Sequence, residues 1–311
     1  MNLIRRYNRE VGVAATIVLL NVVLLLNARE YFSRENFTDI FLANTPVLVI
    51  SLGMLLVILA GRIDISVGSM FAVCSVIAGM AAKEGASSAG SGLAACLAGA
   101  ACGAINGGLT AYLRVPSIVA TLATMIVLRD GLRWMTQGSW VGDLPPGFQL
   151  FGLSPGEFTA TVFAVVLVLL LIALAGLRYL RAGRAIYATG SSEEAAGMVG
   201  IKTKRVVFCV FTLTGVLTGL AAAMNAVRFH QVPSNAGLGL EMKVIAAVVV
   251  GGAAITGGSG TVVGTLLGVI LLGSIGTSLT FLGISAYWEK SVQGAIILIA
   301  VAISLAGRNR D

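Results

Sequence analysis

Long apolar runs with very few charged residues follow one another along almost the whole chain. A run of about 20 mostly apolar residues is long enough to cross a bilayer as an α-helix. The eighth run is short and the fifth is polar at its end, so either could be re-entrant or broken, and the span count lies between eight and ten. The runs are 11–27, 40–60, 65–82, 91–113, 116–135, 158–177, 206–226, 244–258, 260–281 and 291–307.

The balance of apolar and charged residues supports the same conclusion. Of the 311 residues 57% are hydrophobic and only 11% are charged, whereas a soluble domain carries about 25% charged residues. Too few charges remain to cover a water-facing surface. We therefore predict an all-α membrane protein, a polytopic bundle of about ten transmembrane helices, with residues 1–311 forming a single transmembrane domain.

The placement of basic residues predicts an orientation. The net charge of +7 does not indicate nucleic-acid binding, because the basic residues lie in short loops between apolar runs rather than on one face. If the N-terminus is cytoplasmic and ten spans alternate, the inside segments are strongly basic and the outside segments nearly neutral. By the positive-inside rule this predicts a multi-pass protein of the bacterial inner membrane with both termini in the cytoplasm.

Glycines recur every four residues in several apolar runs. Gly99, Gly103 and Gly107 share this spacing. It places small residues on one helix face, so that the backbone of a neighbouring helix can approach closely. The pattern predicts tight helix packing in a compact bundle. The same spacing recurs at Gly215 and Gly219, and at Gly260, Gly264 and Gly268.

The sequence offers little for catalysis or metal binding. No Lys follows a Gly, so the phosphate-binding pattern G-x-x-x-x-G-K-[ST] does not occur, and the glycine-rich run 251–260 lacks the lysine. His230 is the only histidine. We expect no catalytic residues, no metal and no cofactor, and an enzyme embedded in the membrane is disfavoured. Nearly all charges fall at the ends of the predicted spans, which also disfavours an ion-driven transporter.

The polar stretch at about 178–205 is predicted to lie on the inside. Ser192 can cap a short helix, and Glu193 and Glu194 suit its first turn. Ala195, Ala196, Met198 and Val199 would give that helix a small apolar surface, and Gly200 can end it. Such a helix could fit a groove in another protein. An ordinary interfacial loop is the alternative.

These segments resemble a known family. Residues 194–197 (EAAG) with Gly200 and Ile201 look like the cytoplasmic coupling loop of ABC importer permeases. Residues 61–69 (GRIDISVGS) resemble the GIDLSVGS signature of ribose-type sugar permeases, although Arg62 departs from it. The segment 239–243 (GLEMK) looks closer to the rhamnose and autoinducer-2 permeases. Further similarities lie at Asn106-Gly107, Val115-Pro116, Thr121-Leu122, 251–260 and 286–288.

The resemblance implies a division of labour among several proteins. A periplasmic binding protein delivers the sugar, two permease subunits form the pathway, and two ATP-binding subunits dock on the inside loop. The coupling residues would be Glu193, Glu194, Ala195, Ala196, Gly197 and Gly200. Asp64 and Ser66 would shape a turn near the pathway, and Asn106, Thr121 and Thr124 are candidates to line it. The alternative function is a stand-alone secondary transporter or facilitator, which would need no docking helix.

Overall fold

The computed structural model describes residues 8–296 and 298, and its architecture is helical throughout that part of the chain. The one extended pairing among these residues is an isolated bridge between Val141 and Val232. Residues 289–296 are also helical. The α-helices are α1 (Asn8–Asn27), α2 (Arg34–Leu59), α3 (Val67–Lys83), α4 (Ser88–Ala111), α5 (Ser117–Thr136), α6 (Pro155–Tyr179), α7 (Arg181–Ser191), α8 (Glu193–Met198), α9 (Thr203–Ala226), α10 (Leu240–Val250) and α11 (Val262–Phe281).

Six of these helices are long and apolar enough to cross a membrane: α1, α2, α4, α6, α9 and α11. The polytopic bundle is therefore confirmed, but the predicted count of about ten spans is not. Helix α3 has 17 residues, and α5 has the length of a span but carries Arg129, Asp130 and Arg133. The tenth predicted span, 291–307, lies largely outside the described residues.

The eighth predicted span differs most from the structure. Its helix is α10, which begins four residues earlier than predicted and has only 11 residues. Glycines end it, since Gly252 and Gly257 adopt positive φ angles of 98° and 92°, which residues with a Cβ rarely adopt. The remainder of the predicted span is an irregular loop, 251–261, that leads into α11.

The centre of the bundle is the contact between α4 and α9, where the predicted tight packing is confirmed. A Cβ added at Gly99 would collide with the carbonyl oxygen of Gly215, and one added at Gly219 would collide with that of Ala95. At Gly107 an added Cβ would lie 2.9 Å from the Phe208 carbonyl oxygen. The two backbones therefore touch directly, which is how small residues allow helices to associate in lipid.

Helices α10 and α11 repeat this arrangement. The glycines at 251 and 264 face each other, and a Cβ on either would collide with the carbonyl oxygen of the other. Gly268 lies in the same way against the carbonyl oxygen of Ala247. Because α10 ends against the beginning of α11, the two helices run in opposite directions from one end of the bundle. That end also holds the C-terminus of α2, as the contacts below show.

Candidate coupling and translocation sites

The segment 60–66 joins α2 to α3 without regular secondary structure. Gly61 adopts a φ of 74°, which ends α2. Asp64 then turns the chain into α3: its Oδ1 accepts hydrogen bonds from the backbone N–H of Ser66 at 2.9 Å and from the Ser66 hydroxyl at 2.7 Å. This is the local hydrogen bonding that makes Asp a strong turn residue.

Neighbouring helices supply hydrogen-bond partners for several further polar groups of this segment. The Ser117 hydroxyl accepts from the N–H of Ile63 at 3.3 Å, and the Thr121 hydroxyl accepts from the N–H of Ile65 at 3.1 Å. The Asn106 amide donates to the Ser66 hydroxyl at 2.7 Å. Helix α5 thus supplies hydroxyl acceptors for two backbone N–H groups that form no helical hydrogen bond, and α4 supplies a donor for the Ser66 hydroxyl. Irregular backbone inside a bundle needs such partners, because buried N–H and C=O groups must be paired.

The structure brings four of the five predicted pathway residues together. Asp64, Ser66, Asn106 and Thr121 are fully buried and belong to this one network. Thr124 stands apart, because its hydroxyl bonds only to the Thr121 carbonyl oxygen within α5. Asp64 Oδ2 and Asn106 Oδ1 are buried without a hydrogen-bond partner in the part of the chain that the structure describes. The sequence analysis missed Ser117, although its position directly after Pro116 marks a helix start.

The predicted short helix is present as α8. The Ser192 hydroxyl accepts from the N–H of Ala195 at 3.2 Å, which confirms the predicted cap. Gly200 follows the helix with a φ of 85°, so the predicted terminator is confirmed as well. Glu193, Glu194, Ala195, Gly197 and Gly200 are exposed. Ala196 was predicted to belong to the outer apolar surface but is buried, so Met198 and Val199 provide most of that surface.

An ion pair fixes α8 to the transmembrane bundle. Arg62 Nη2 lies 2.7 Å from Glu193 Oε2, so the first turn of α8 is tied to the segment 60–66. Arg62 is the position where the sequence departs from the sugar-permease signature. The ion pair gives this different residue a structural role, because the Arg62 guanidinium contacts Glu193, the first residue of α8.

Helix α7 joins the same place through close backbone contact. Gly190 leaves no room for a Cβ, which would collide with the Leu59 carbonyl oxygen, and that oxygen accepts from the N–H of Gly258 at 3.0 Å. The Tyr187 hydroxyl donates to the Gly260 carbonyl oxygen at 2.8 Å, and burial raises the pKa of this phenol. The end of α2, the pair α7–α8 and the loop 251–261 therefore meet in one junction.

A second irregular segment, 227–239, connects α9 to α10. It pairs with the loop after α5 through the Val141–Val232 bridge, and the glycines at 237 and 239 turn it into α10 with φ angles of 72° and 78°. Arg129 Nη1 donates to the Ala236 carbonyl oxygen at 3.0 Å. Residues 240–243 of α10 lie outside the predicted eighth span, because a search for apolar runs skips a helix whose first turn is charged.

The first turn of α10 carries two charged residues. The Glu241 carboxylate occupies the space that a Cβ on Gly68 would fill, and its Oε2 is buried without a hydrogen-bond partner. Lys243 Nζ lies 3.8 Å from Glu289 Oε1. Within the described residues no three His, Cys, Asp or Glu side chains lie close enough together to hold a metal ion. A set of charges of both signs, rather than a ligand cage, characterises this region.

Comparison with known proteins identifies the family. The model for the permease component of the branched-chain amino acid transport system matches residues 36–301. The autoinducer 2 import system permease proteins LsrC of Yersinia pseudotuberculosis serotype O:1b and Yersinia pestis are each 37% identical over 292 residues, which is 94% of this chain and 83% of theirs. The Yersinia enterocolitica protein is 36% identical, with 94% and 81% covered. No solved structure matches. The chain therefore belongs to this family of multi-pass permease components of transport systems.

Proposed function

We propose that this protein is the membrane-spanning permease subunit of an ATP-binding-cassette importer that carries a sugar or a sugar-like small molecule into the cytoplasm. The cargo would be of the autoinducer-2, rhamnose or pentose type. One observation carries the proposal: in a chain similar to autoinducer 2 import permeases, a capped helix with an exposed apolar end is fixed to the rim of the bundle. A facilitator working alone has no use for such a helix.

The driving force comes from a partner. Because the sequence has no phosphate-binding loop of the Walker type, ATP hydrolysis belongs to an ATP-binding subunit. A periplasmic solute-binding protein presents the cargo, and a second permease subunit, identical or paralogous, completes the pathway. The chain lies in lipid in the bacterial inner membrane with both termini in the cytoplasm, and nucleic acid has no part in its function.

Coupling takes place at α8. Glu193, Glu194, Ala195, Ala196, Gly197 and Gly200 form or position the surface that the ATP-binding subunit grips. The Arg62–Glu193 ion pair and the contact of Gly190 with Leu59 then transmit its movement to the segment 60–66. Binding and hydrolysis of ATP shift the inward–outward equilibrium through different affinities for the two states.

The buried network around Asp64 serves the pathway by holding its wall in place. Asp64, Ser66, Asn106 and Thr121 fix the start of α3 against α4 and α5. Thr124 lies one turn further along α5, beside this network. Displacement of the segment 60–66 would shift α3, and with it Gly68 and the neighbouring Glu241.

The test is uptake by the assembled importer in liposomes. With its ATP-binding subunit, binding protein and second permease, the protein should accumulate labelled autoinducer-2, rhamnose or ribose only when ATP is supplied. Gly197→Trp and Glu194→Lys should abolish uptake without loss of inserted protein, because both positions are exposed and Gly197 has no neighbour within 4 Å. Gly12→Trp, another exposed glycine with free space around it, serves as the matched control.

Two results would overturn the proposal. Uptake at the wild-type rate by both α8 variants would remove the coupling role of that helix. Equilibration of cargo by the chain alone, without ATP or any partner, would identify a facilitator instead. Loss of uptake in Gly12→Trp as well would show that the bulky side chain, rather than its place on α8, causes the defect.

A further inference from the structure

Charged residues of α5 and α10 lie far from the ends of the bundle. Arg129 comes 12 residues after the start of α5, which places it about 18 Å along that helix. Helix α10 has 11 residues, so Glu241 and Lys243 in its first turn lie about 14 Å and about 11 Å from its end beside the loop 251–261. These distances are close to half of the ~30 Å hydrocarbon core.

The partner of Lys243 lies at a similar depth. Glu289 packs against Gly276, which is 14 residues, or about 21 Å, beyond the start of α11. Measured along three helices that begin or end at the same rim, the four charges of Arg129, Glu241, Lys243 and Glu289 therefore lie between about 11 and about 21 Å from it. We call these four residues the charged layer.

This layer reaches the surface of the protomer. Leu238 and Met242, which flank Glu241 in the chain, are each 66% exposed. On α5, Asp130 and Arg133 lie 3.8 Å apart with side chains 66% and 69% exposed. A charged side chain facing lipid costs about 3 kcal/mol at the centre of the bilayer, and Asp130 and Arg133 lie about 20 Å and about 24 Å along α5, nearer its end. A face that carries several such groups is therefore expected to border water or another protein rather than hydrocarbon.

The break between α9 and α10 is the geometry found where membrane proteins bind small solutes. Irregular backbone within a membrane is tolerated where it is buried or lines a water-filled cavity, and half-length helices commonly end at such cavities. Here Glu241 Oε2, at the start of the half-length helix, is buried against Gly68 without a hydrogen-bond partner among the described residues. It is an acceptor that the described part of the protein leaves unused.

The signs of the charges indicate the class of ligand. Within the four residues of the layer, Arg129 and Lys243 are balanced by Glu241 and Glu289, so these four carry no net charge. Guanidinium and ammonium groups only donate hydrogen bonds, and carboxylates only accept them. A hydroxyl group does both. A charge-balanced set of strong donors and acceptors therefore suits a neutral molecule with several hydroxyl groups better than an anion or a cation.

We infer that the layer formed by Arg129, Glu241, Lys243 and Glu289, at the break between α9 and α10, is a cargo-binding station of the translocation pathway and takes a neutral polyhydroxylated molecule. The inference rests on the proposed importer function and names its transport site. Met242 and Leu238 provide the apolar contact surface of the station, and the second permease subunit closes it from the opposite side.

Labelling of introduced cysteines tests whether the layer is accessible to water. In the assembled importer in lipid nanodiscs, with Cys74, Cys96, Cys102 and Cys209 replaced by Ala, Met242→Cys is exposed to a charged, membrane-impermeant methanethiosulfonate. It should react at least about tenfold faster than Leu171→Cys, because only a thiol in contact with water ionises. Leu171 is the matched control, 56% exposed on the uncharged middle of α6. Saturating cargo should slow the reaction of Met242→Cys only.

Two labelling results would contradict the inference. Labelling of Met242→Cys as slow as that of Leu171→Cys would overturn the inference, since the layer would then be dry. Fast labelling that none of autoinducer-2, rhamnose or ribose slows would overturn the assignment as a cargo station. ATP-dependent uptake by the cysteine-free parent tests the importer function separately, so the two failures are distinguishable.

A second measurement uses the ratio of cargo moved to ATP hydrolysed. Glu241→Gln keeps the size of the side chain but upsets the charge balance, and should lower this ratio about tenfold, which corresponds to 1.4 kcal/mol of lost interaction. The rate of ATP hydrolysis should stay unchanged, whereas a purely structural defect would lower both. Asp143→Asn, an exposed carboxylate 3.5 Å from Lys83, should change neither. An unchanged ratio in Glu241→Gln would overturn the inference.

Discussion

The two irregular segments between helices, 60–66 and 227–239, have opposite characters. In the first, every polar contact described above is made within the protein, and Asp64, Ser66, Asn106 and Thr121 are fully buried. Both regions hold a buried carboxylate oxygen without a hydrogen-bond partner among the described residues, Asp64 Oδ2 in the first and Glu241 Oε2 after the second. The difference is exposure, because the second segment leads into a helix whose first turn carries Met242, which is 66% exposed. Both segments interrupt helices in a chain that crosses the membrane. We call the first a closed break, because its polar residues named here are buried, and the second an open break, because it adjoins exposed residues.

The difference shows two uses of broken helices. A closed break with internal partners fixes the relative position of its neighbours, because moving it would expose or orphan several hydrogen-bonding groups. An open break presents polar groups to whatever occupies the adjoining space. Stability should therefore respond mainly to changes in the first segment and transport mainly to changes near the second. The predictions below test that separation.

The largest effect is expected at Asp64. Asp64→Ala removes the oxygen that accepts from the N–H and the hydroxyl of Ser66, and should lower the free energy of unfolding by about 3 kcal/mol. Asp64→Asn keeps an acceptor in the same place and should lose less than half of that. The temperature of half-unfolding in detergent, followed by size-exclusion chromatography after heating, measures both. Equal losses would mean that the charge matters, and not the acceptor.

The next largest loss of stability is expected when α5 loses the hydroxyls that accept hydrogen bonds from the segment 60–66. Ser117→Ala and Thr121→Val leave the N–H groups of Ile63 and Ile65 without their partners, and each should cost about 1 kcal/mol. Thr124→Val removes only a bond within α5 and should cost less, so it is the control. The same heating assay applies. A loss at Thr124 as large as at Thr121 would contradict a specific role for these hydroxyls.

A smaller effect is expected from the ion pair that holds α8. Arg62 and Glu193 are partly exposed, with side chains 32% and 47% accessible, and pairs of this kind contribute less than about 1 kcal/mol. Arg62→Ala should therefore barely change stability, and raising the salt concentration should reduce the difference further. The main defect of Arg62→Ala should instead be that ATP is hydrolysed without uptake of cargo. A loss of several kcal/mol would assign Arg62 to the closed network.

The smallest effect on stability is expected at Glu241. The buried Oε2 has no hydrogen-bond partner among the described residues, so Glu241→Gln breaks no hydrogen bond of this oxygen and should change stability by less than about 1 kcal/mol. Heating curves of the variant and the wild type, compared in the same detergent, provide the measurement. Destabilisation as strong as that of Asp64→Ala would show that both breaks are structural, and the comparison would fail.

Much of the architecture could be predicted from local sequence. The apolar runs that became α2, α4, α6 and α9 were placed within a few residues of their ends, because hydrophobic length is a property of contiguous residues. The cap of α8 at Ser192 is equally local. The glycine spacing predicted close packing, although it could not show that Gly99 meets Gly215.

The candidate site was harder to predict, because its members are far apart in sequence. Asp64, Asn106 and Thr121 were singled out by resemblance to permeases, but their hydrogen bonds join the segment 60–66 to two different helices, α4 and α5. Arg129 and Glu241 were passed over, since a charge at the end of an apolar run indicates an interface. Only the tertiary contacts, of Glu241 on α10 with Gly68 on α3 and of Arg129 with Ala236 in the segment 227–239, place these two residues inside the bundle.

Contiguous residues are enough to identify a helical membrane protein with a capped helix between two spans, since hydrophobic length and capping act over neighbouring residues. Which breaks between helices are closed and which are open follows only from the packing of the bundle. It depends on whether distant helices bring donors and acceptors to the exposed backbone and side chains, because burial of a polar group costs least where such partners are present.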